Sequence, residues 1–293
     1  MAIYFEMIKY HSKEYPSSIP LRCEEIAAHL DIEKISPVLP AYSLHTEYSY
    51  GKRKFTSTLY DENSLLATSH KKNIPQLWKD NEWAKEFAQF LIKLCKNQAP
   101  PDIIEIHPPF TDYTSSVENF VERYIIFEDL IKSQFPDVTI LIENRCGSTY
   151  PKAKFLLSKS DDFKELSHAI DKNKLTLKFA LDIPQLYTAH NCDNKKPDKY
   201  ISSLNSIYDV RHNIYGVHLW GKMRSASGRK VSHCGDLKSY FEYDEKIHTD
   251  FLTAFHDFFN DEIARKLVLE VNSSNADIDS IIKDLKTINC QFI

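Results

Sequence analysis

The sequence predicts an α/β fold, a single closed (β/α) barrel of the TIM type that takes residues 1–293 as one domain. Three observations predict it. Short runs rich in β-branched and aromatic residues alternate with longer amphipathic stretches along the whole chain. No Pro/Ser-rich or charged linker divides the 293 residues, and that length suits one large barrel. Strand and helix in strict alternation call for a parallel sheet with helices outside it.

The first run, IYFEMI (3–8), opens the barrel. Residues 21–30 read as an amphipathic helix, and VLPAYSLH (38–45) as the next strand. Residues 46–75 form a long polar and aromatic insertion that reads either as a lid or substrate loop or as a plain surface excursion. A helix over 76–96 leads to the strand DIIEIH (102–107). The next helix, 116–133, starts at Ser115-x-x-Glu118 and carries apolar residues at helical spacing. Strands at 138–143, 175–182, 214–220 and 266–271 then alternate with helices near 160–171, 200–210, 247–259 and 276–286. That gives seven strands. The eighth is expected to be irregular or missing near the N-terminus, supplied from 30–40 or by the final CQFI.

The net charge of −4 argues against a protein that coats polyanions, while leaving room for a locally basic groove. None of the six cysteines forms a CxxC pair, so reduced thiols in a cytoplasmic protein are expected. The N-terminus lacks the pattern of a signal peptide, and the longest apolar runs are too short to span a membrane. Glycine is scarce: six in 293, about 2% against roughly 7% in average usage. All six lie within six residues of His45, Glu143, His218 or His233, which suggests loops of special geometry there.

Those strand ends carry the chemistry. The successive runs finish in or near His45, His107, Glu143, Asp182, His218 and Glu270. In a barrel the C-terminal strand ends share one mouth. Three carboxylates and three imidazoles gathered there would repel or stay unsatisfied without a cation. The mixed donor set suits zinc, with manganese or iron as alternatives, better than calcium or magnesium. Six donors exceed the needs of one catalytic ion, so two ions sharing a carboxylate are expected. His233 is a seventh candidate ligand. It ends a loop whose Lys222, Arg224, Arg229 and Lys230 form a candidate anion cradle. Lys52, Arg53, Lys54, Lys71 and Lys72 add positive charge in the 46–75 insertion, so a phosphate-bearing substrate, with DNA among the candidates, is the expected partner.

In order and placement these motifs resemble the xylose-isomerase-like TIM barrels, and in particular the endonuclease IV branch. SLHTEY, EIHPP, LIENRCG, GRKVSHCGDL and LVLEVN carry the resemblance, which spans about residues 38–273. It implies one ion on His45, His107 and Glu143, and a second on Glu143, Asp182, His218 and Glu270. It also implies a third ion, but Gln185 and Val231 stand where that site needs a His and an Asp, leaving only His233.

Two activities follow. A metal-dependent phosphoesterase would use Glu143 as the shared ligand, with Glu270 and His233 as further catalytic groups and Arg229 near the leaving oxygen. A sugar or sugar-phosphate isomerase/epimerase would need only one ion on Glu143, Asp182, His218 and Glu270, with Glu143 and Glu270 exchanging protons with the substrate carbon. The His45/His107 pair favours the phosphoesterase. A barrel retained only for binding is the third reading, disfavoured by the full set of ligand-type residues.

Overall fold

The computed structural model describes residues 1–48, 62–67, 69–70, 74–150 and 153–293. Most of the 46–75 insertion, with Lys52, Arg53, Lys54, Lys71 and Lys72, lies outside the described residues.

Eight parallel strands close into a barrel: β1 (Ile3–Lys9), β2 (Leu21–Ala28), β3 (Ala41–Thr46), β4 (Ile103–Ile106), β5 (Thr139–Glu143), β6 (Lys178–Asp182), β7 (Ile214–Leu219) and β8 (Arg265–Leu269). Each strand pairs with its sequence neighbour, and β8 returns to β1 through Phe5↔Arg265 to Ile8↔Val268. The final CQFI does form a strand, β9 (Cys290–Phe292), but outside the ring. It pairs with the start of β1, Ile3↔Cys290 to Phe5↔Phe292, below the point where β8 joins.

The eighth barrel strand is β2, in the stretch whose pattern reads as a helix. Glu24, Glu25, Ala27 and Ala28 favour a helix locally. Pairing on both flanks, to β1 and to β3 from Cys23↔Ala41 to Ala28↔Thr46, overrides that preference. The alternation is hidden because its inward positions are Cys23, Glu25 and Ala27 rather than large apolar residues. The irregularity near the N-terminus is therefore one of helices: the connections 10–20 and 29–40 hold turns and no helix.

The outer layer comprises α1 (Asn81–Cys95), α2 (Val117–Gln134), α3 (Ser160–Asn173), α4 (Ile183–Ala189), α5 (Asp198–Asn205), α6 (Leu237–Tyr240), α7 (Glu245–Phe259) and α8 (Asn275–Thr287). The expected helix over 200–210 divides into α5 and a 3₁₀ turn, Tyr208–Asn213. Most of the apolar core lies between strands and helices. A separate small cluster of Ile8, Cys23, Ile103, Leu141, Ala180 and Val268 fills the barrel interior. Residues of the same parity farther along these strands point into the barrel toward its mouth.

Candidate metal centre at the barrel mouth

His45, His107, Glu143, Asp182, His218 and Glu270 are all buried at the C-terminal end of the barrel. His107 Nε2 lies 2.7 Å from Glu143 Oε2 and 3.1 Å from His45 Nε2. His45 Nε2 is also 3.5 Å from Glu143 Oε2. On the far side His218 Nδ1 is 3.2 Å from Glu270 Oε1, and His233 Nδ1 is 3.3 Å from Glu270 Oε2. Register explains the adjacency: Asp182 stands beside His218 across β6 and β7.

Two carboxylates join the cluster that the motif order did not single out. Glu105 sits two residues before His107, one layer deeper, directly beside His45 in the β3–β4 register. Its two oxygens approach His45 Nε2 at 3.6 Å and His218 Nε2 at 3.2 Å. Glu25 on β2 lies 3.1 Å from His45 Nδ1. The period of two in IIEIH puts Glu105 on the face of His107, so that signal was present. Glu25 was concealed by the helical look of β2.

The donor chemistry fits a metal. The Nδ1 of His107 faces the Glu47 carbonyl at 3.0 Å, and the Nδ1 of His45 faces Glu25. Both partners only accept, so each Nδ1 carries a proton, and in the neutral rings each Nε2 turns a lone pair to the same point. The two Nε2 atoms are 3.1 Å apart with a carboxylate oxygen 2.7 Å from one of them, so either a cation or an extra proton on His45 must sit between them. Glu105 Oε1 and both nitrogens of His218 are buried and lack an aligned hydrogen bond among the described residues. A cation would satisfy all of these groups. Three donor sets are close enough to hold one: His45, Glu105, His107 and Glu143; Glu25, His45 and Glu270; Glu143, Asp182 and His218.

Ionisation follows the same crowding. Burial opposes charge on His45, but Glu25 and Glu105 help hold its pKa well above the usual imidazole range. Burial likewise opposes charge on His218, where Glu105 and Glu270 outweigh it and raise the pKa. His107 goes the other way: burial depresses it to about 3. Burial pushes Asp182 up to about 7, assisted by the charges of Glu143 and Glu270. Glu143 is buried too, yet Arg145 and the imidazoles hold its pKa well below the carboxylate range.

Asp182 is also the N-cap of α4, its Oδ1 accepting from Gln185 N at 2.8 Å. That turn folds the Gln185 side chain back, so that its amide donates to Glu143 Oε1 at 2.5 Å and Asp182 Oδ2 at 2.9 Å. Trp220 Nε1 donates to Asp182 Oδ2 at 2.9 Å, and Arg145 Nη1 contacts Glu143 Oε2 at 3.2 Å. Arg145, two residues beyond Glu143, is thus a site cation that the basic loops did not reveal.

His233 reaches the centre from the hairpin Lys222–Arg224/Lys230–Ser232. It has a φ of +57° and stacks on Trp220 with ring centroids 4.3 Å apart. The base of the hairpin needs two glycines, because a Cβ on Gly221 would collide with the Gly235 carbonyl. Of the hairpin cations, Lys222 lines the central cavity and donates to Thr188 Oγ1 at 3.1 Å. Arg224 and Lys230 instead reach Glu242, at 2.9 and 2.6 Å, and Arg229 is exposed. Val231 is also exposed and does not approach the centre.

The cavity over the centre has a volume of about 590 Å³; Tyr10, Tyr48, Arg145, Trp220, Lys222 and His233 are among its walls, above His45, Glu143 and Glu270. Among the described residues no helix is long and apolar enough to cross a membrane.

No protein-family model matches the chain. No curated protein matches its sequence. Solved structures do match in shape. A crystal structure of AsfvAP:AG aligns with 14% identity and a TM-score of 0.55, covering 98% of this chain and 99% of its own. D-psicose 3-epimerase with D-tagatose from Clostridium cellulolyticum H10 aligns with 10% identity and a TM-score of 0.48, over 98% and 100% of the two chains. The likeness is one of fold.

Proposed function

We propose that the protein is a metal-dependent phosphoesterase of the endonuclease IV-like type, with nucleic acid as its candidate substrate. The observation that carries this reading is the facing pair of imidazole nitrogens, His45 Nε2 and His107 Nε2 at 3.1 Å, beneath a cavity lined by Arg145 and Lys222. An epimerase needs a single ion on the Asp182 side and has no use for that pair.

Charge supports bound cations. With neutral imidazoles at the ligand positions, the carboxylates of Glu25, Glu105, Glu143, Asp182 and Glu270 outnumber the cations that face them, Arg145 and Lys222. Divalent ions, zinc before manganese or iron, held by His45, His107 and Glu143 and by Glu143, Asp182, His218 and Glu270, would supply Lewis acidity toward a phosphoryl oxygen.

The chain's own groups do the rest. Lys222 and Arg145 orient the phosphate from the cavity wall. Glu270 holds His233 Nδ1, leaving Nε2 as the free nitrogen of a ring that lines the cavity. Burial opposes charge on His233, but Glu270 raises its pKa, which favours a proton on Nε2 for the departing oxygen. Tyr48, edge-on to His45 and His107, covers the imidazoles from solvent.

The test combines a metal count with turnover on an abasic-site duplex and on a panel of keto-sugars. Two ions per chain and cleavage of the duplex are expected. One ion, together with sugar conversion, would replace this reading by the epimerase.

A further inference from the structure

We propose that Glu105 is a metal ligand in its own right, closing a four-donor site with His45, His107 and Glu143, while its second oxygen steers His218. The inference rests on the metal reading above and goes beyond the ligand set that the strand-end motifs define. Glu105 stands between His45 and Leu141 in the strand register, in a barrel interior where such folds pack bulky apolar side chains. It is 2% exposed, and its Oε1 has no hydrogen-bond partner among the described residues. A carboxylate kept in that place with a vacant oxygen needs a cation.

Spacing supports the assignment. Donors about 2.0–2.1 Å from a tetrahedral ion stand roughly 3.3–3.4 Å from one another. His45 Nε2 lies 3.1 Å from His107 Nε2, 3.5 Å from Glu143 Oε2 and 3.6 Å from Glu105 Oε1. The remaining oxygen, Oε2, is 3.2 Å from His218 Nε2. It fixes that ring as an outer carboxylate fixes a ligating imidazole, leaving Nδ1 for the other ion. Glu105 takes the fourth position of a tetrahedral first ion, the one a water or substrate oxygen would otherwise fill.

The experiment uses the full chain, native and Glu105→Gln, loaded with Zn²⁺ or Co²⁺. Chelator competition gives affinity, and the visible Co²⁺ spectrum gives coordination. Native protein should hold one ion in a four-coordinate site whose intense bands do not respond to azide. Glu105→Gln should bind that ion about tenfold or more weakly. Ion uptake by native protein with an unchanged affinity in Glu105→Gln overturns the proposal and leaves the metal reading standing. No uptake by native protein overturns both. Should Glu105→Gln fail to fold, the native spectrum decides: only weak, azide-responsive bands overturn the proposal. Duplex cleavage assayed in parallel separates these results from the fate of the phosphoesterase reading.

Discussion

The two ends of the barrel treat buried charge in opposite ways. At the N-terminal end Arg265 is almost fully buried, yet its guanidinium is fully engaged. It grips both oxygens of Asp261 at 2.7 Å and donates to the carbonyls of Ile214 at 3.0 Å and Arg211 at 3.3 Å. Lys266 nearby is paired with Glu6 at 2.6 Å. At the C-terminal end Glu105 and His218 are just as buried, but they keep polar atoms without aligned partners, and two imidazole nitrogens face each other. Polar groups sealed in a protein are normally satisfied. Around Arg265 the buried groups are met from within, Arg211 Nη1 excepted, whereas at the mouth the open atoms of Glu105 and His218 fall within one cluster of imidazoles and carboxylates, as a ligand site requires.

That contrast can be broken by mutation. The largest effect on folding is expected from Arg265→Ala, which removes a buried guanidinium and leaves Asp261 with Arg211 Nε at 3.5 Å as its remaining cation. About 3–5 kcal/mol of stability should be lost, read from the chemical denaturation midpoint, with ion affinity unchanged. His107→Ala should do the reverse. Ion affinity at the first site falls by on the order of 100-fold or more, read by metal analysis after dialysis, while the metal-free protein melts much closer to native than Arg265→Ala does. Equal loss of stability in both variants would erase the distinction between the ends.

Glu25→Gln sharpens the comparison, because Glu25 touches His45 Nδ1 rather than any proposed ion. Ion affinity should fall about 10- to 100-fold, measured by chelator competition. Proton linkage gives a further check. Below about 7 the folded protein carries a proton on buried Asp182, held there by burial and by the charges of Glu143 and Glu270. An ion must displace that proton, so affinity should fall as pH is lowered through 7, by up to about tenfold per unit for each proton displaced. Calorimetry in buffers of different ionisation enthalpy counts those protons.

The smallest effects separate the hairpin cations. Lys222→Ala should raise KM for a phosphate substrate about tenfold. Arg224→Ala should change it less than about twofold, since an exposed pair with Glu242 contributes little. Equal effects would put both cations on the substrate.

Much of the fold was legible because seven strands are bounded by sharp changes from alternating to helical pattern. β2 was not, since its inward positions are small or acidic and its local preference is helical. The same cause hid Glu25. Arg145 escaped notice because it lies past the strand end, where alternation no longer predicts direction. Arg224 and Lys230 looked like an anion cradle in sequence, but charge alone does not say toward which partner a long side chain reaches, and here Glu242 takes both.

The sequence by itself determined which chemical groups end the inner strands, because alternation and chain order are local properties. Only the tertiary structure decided that Glu25 and Glu105 join them, that Gln185 and Trp220 satisfy Asp182 while Glu105 and His218 stay open, and that one hairpin lysine faces the cavity. Those outcomes depend on barrel closure and register, which bring together residues far apart in the chain, and on which buried groups then find a donor.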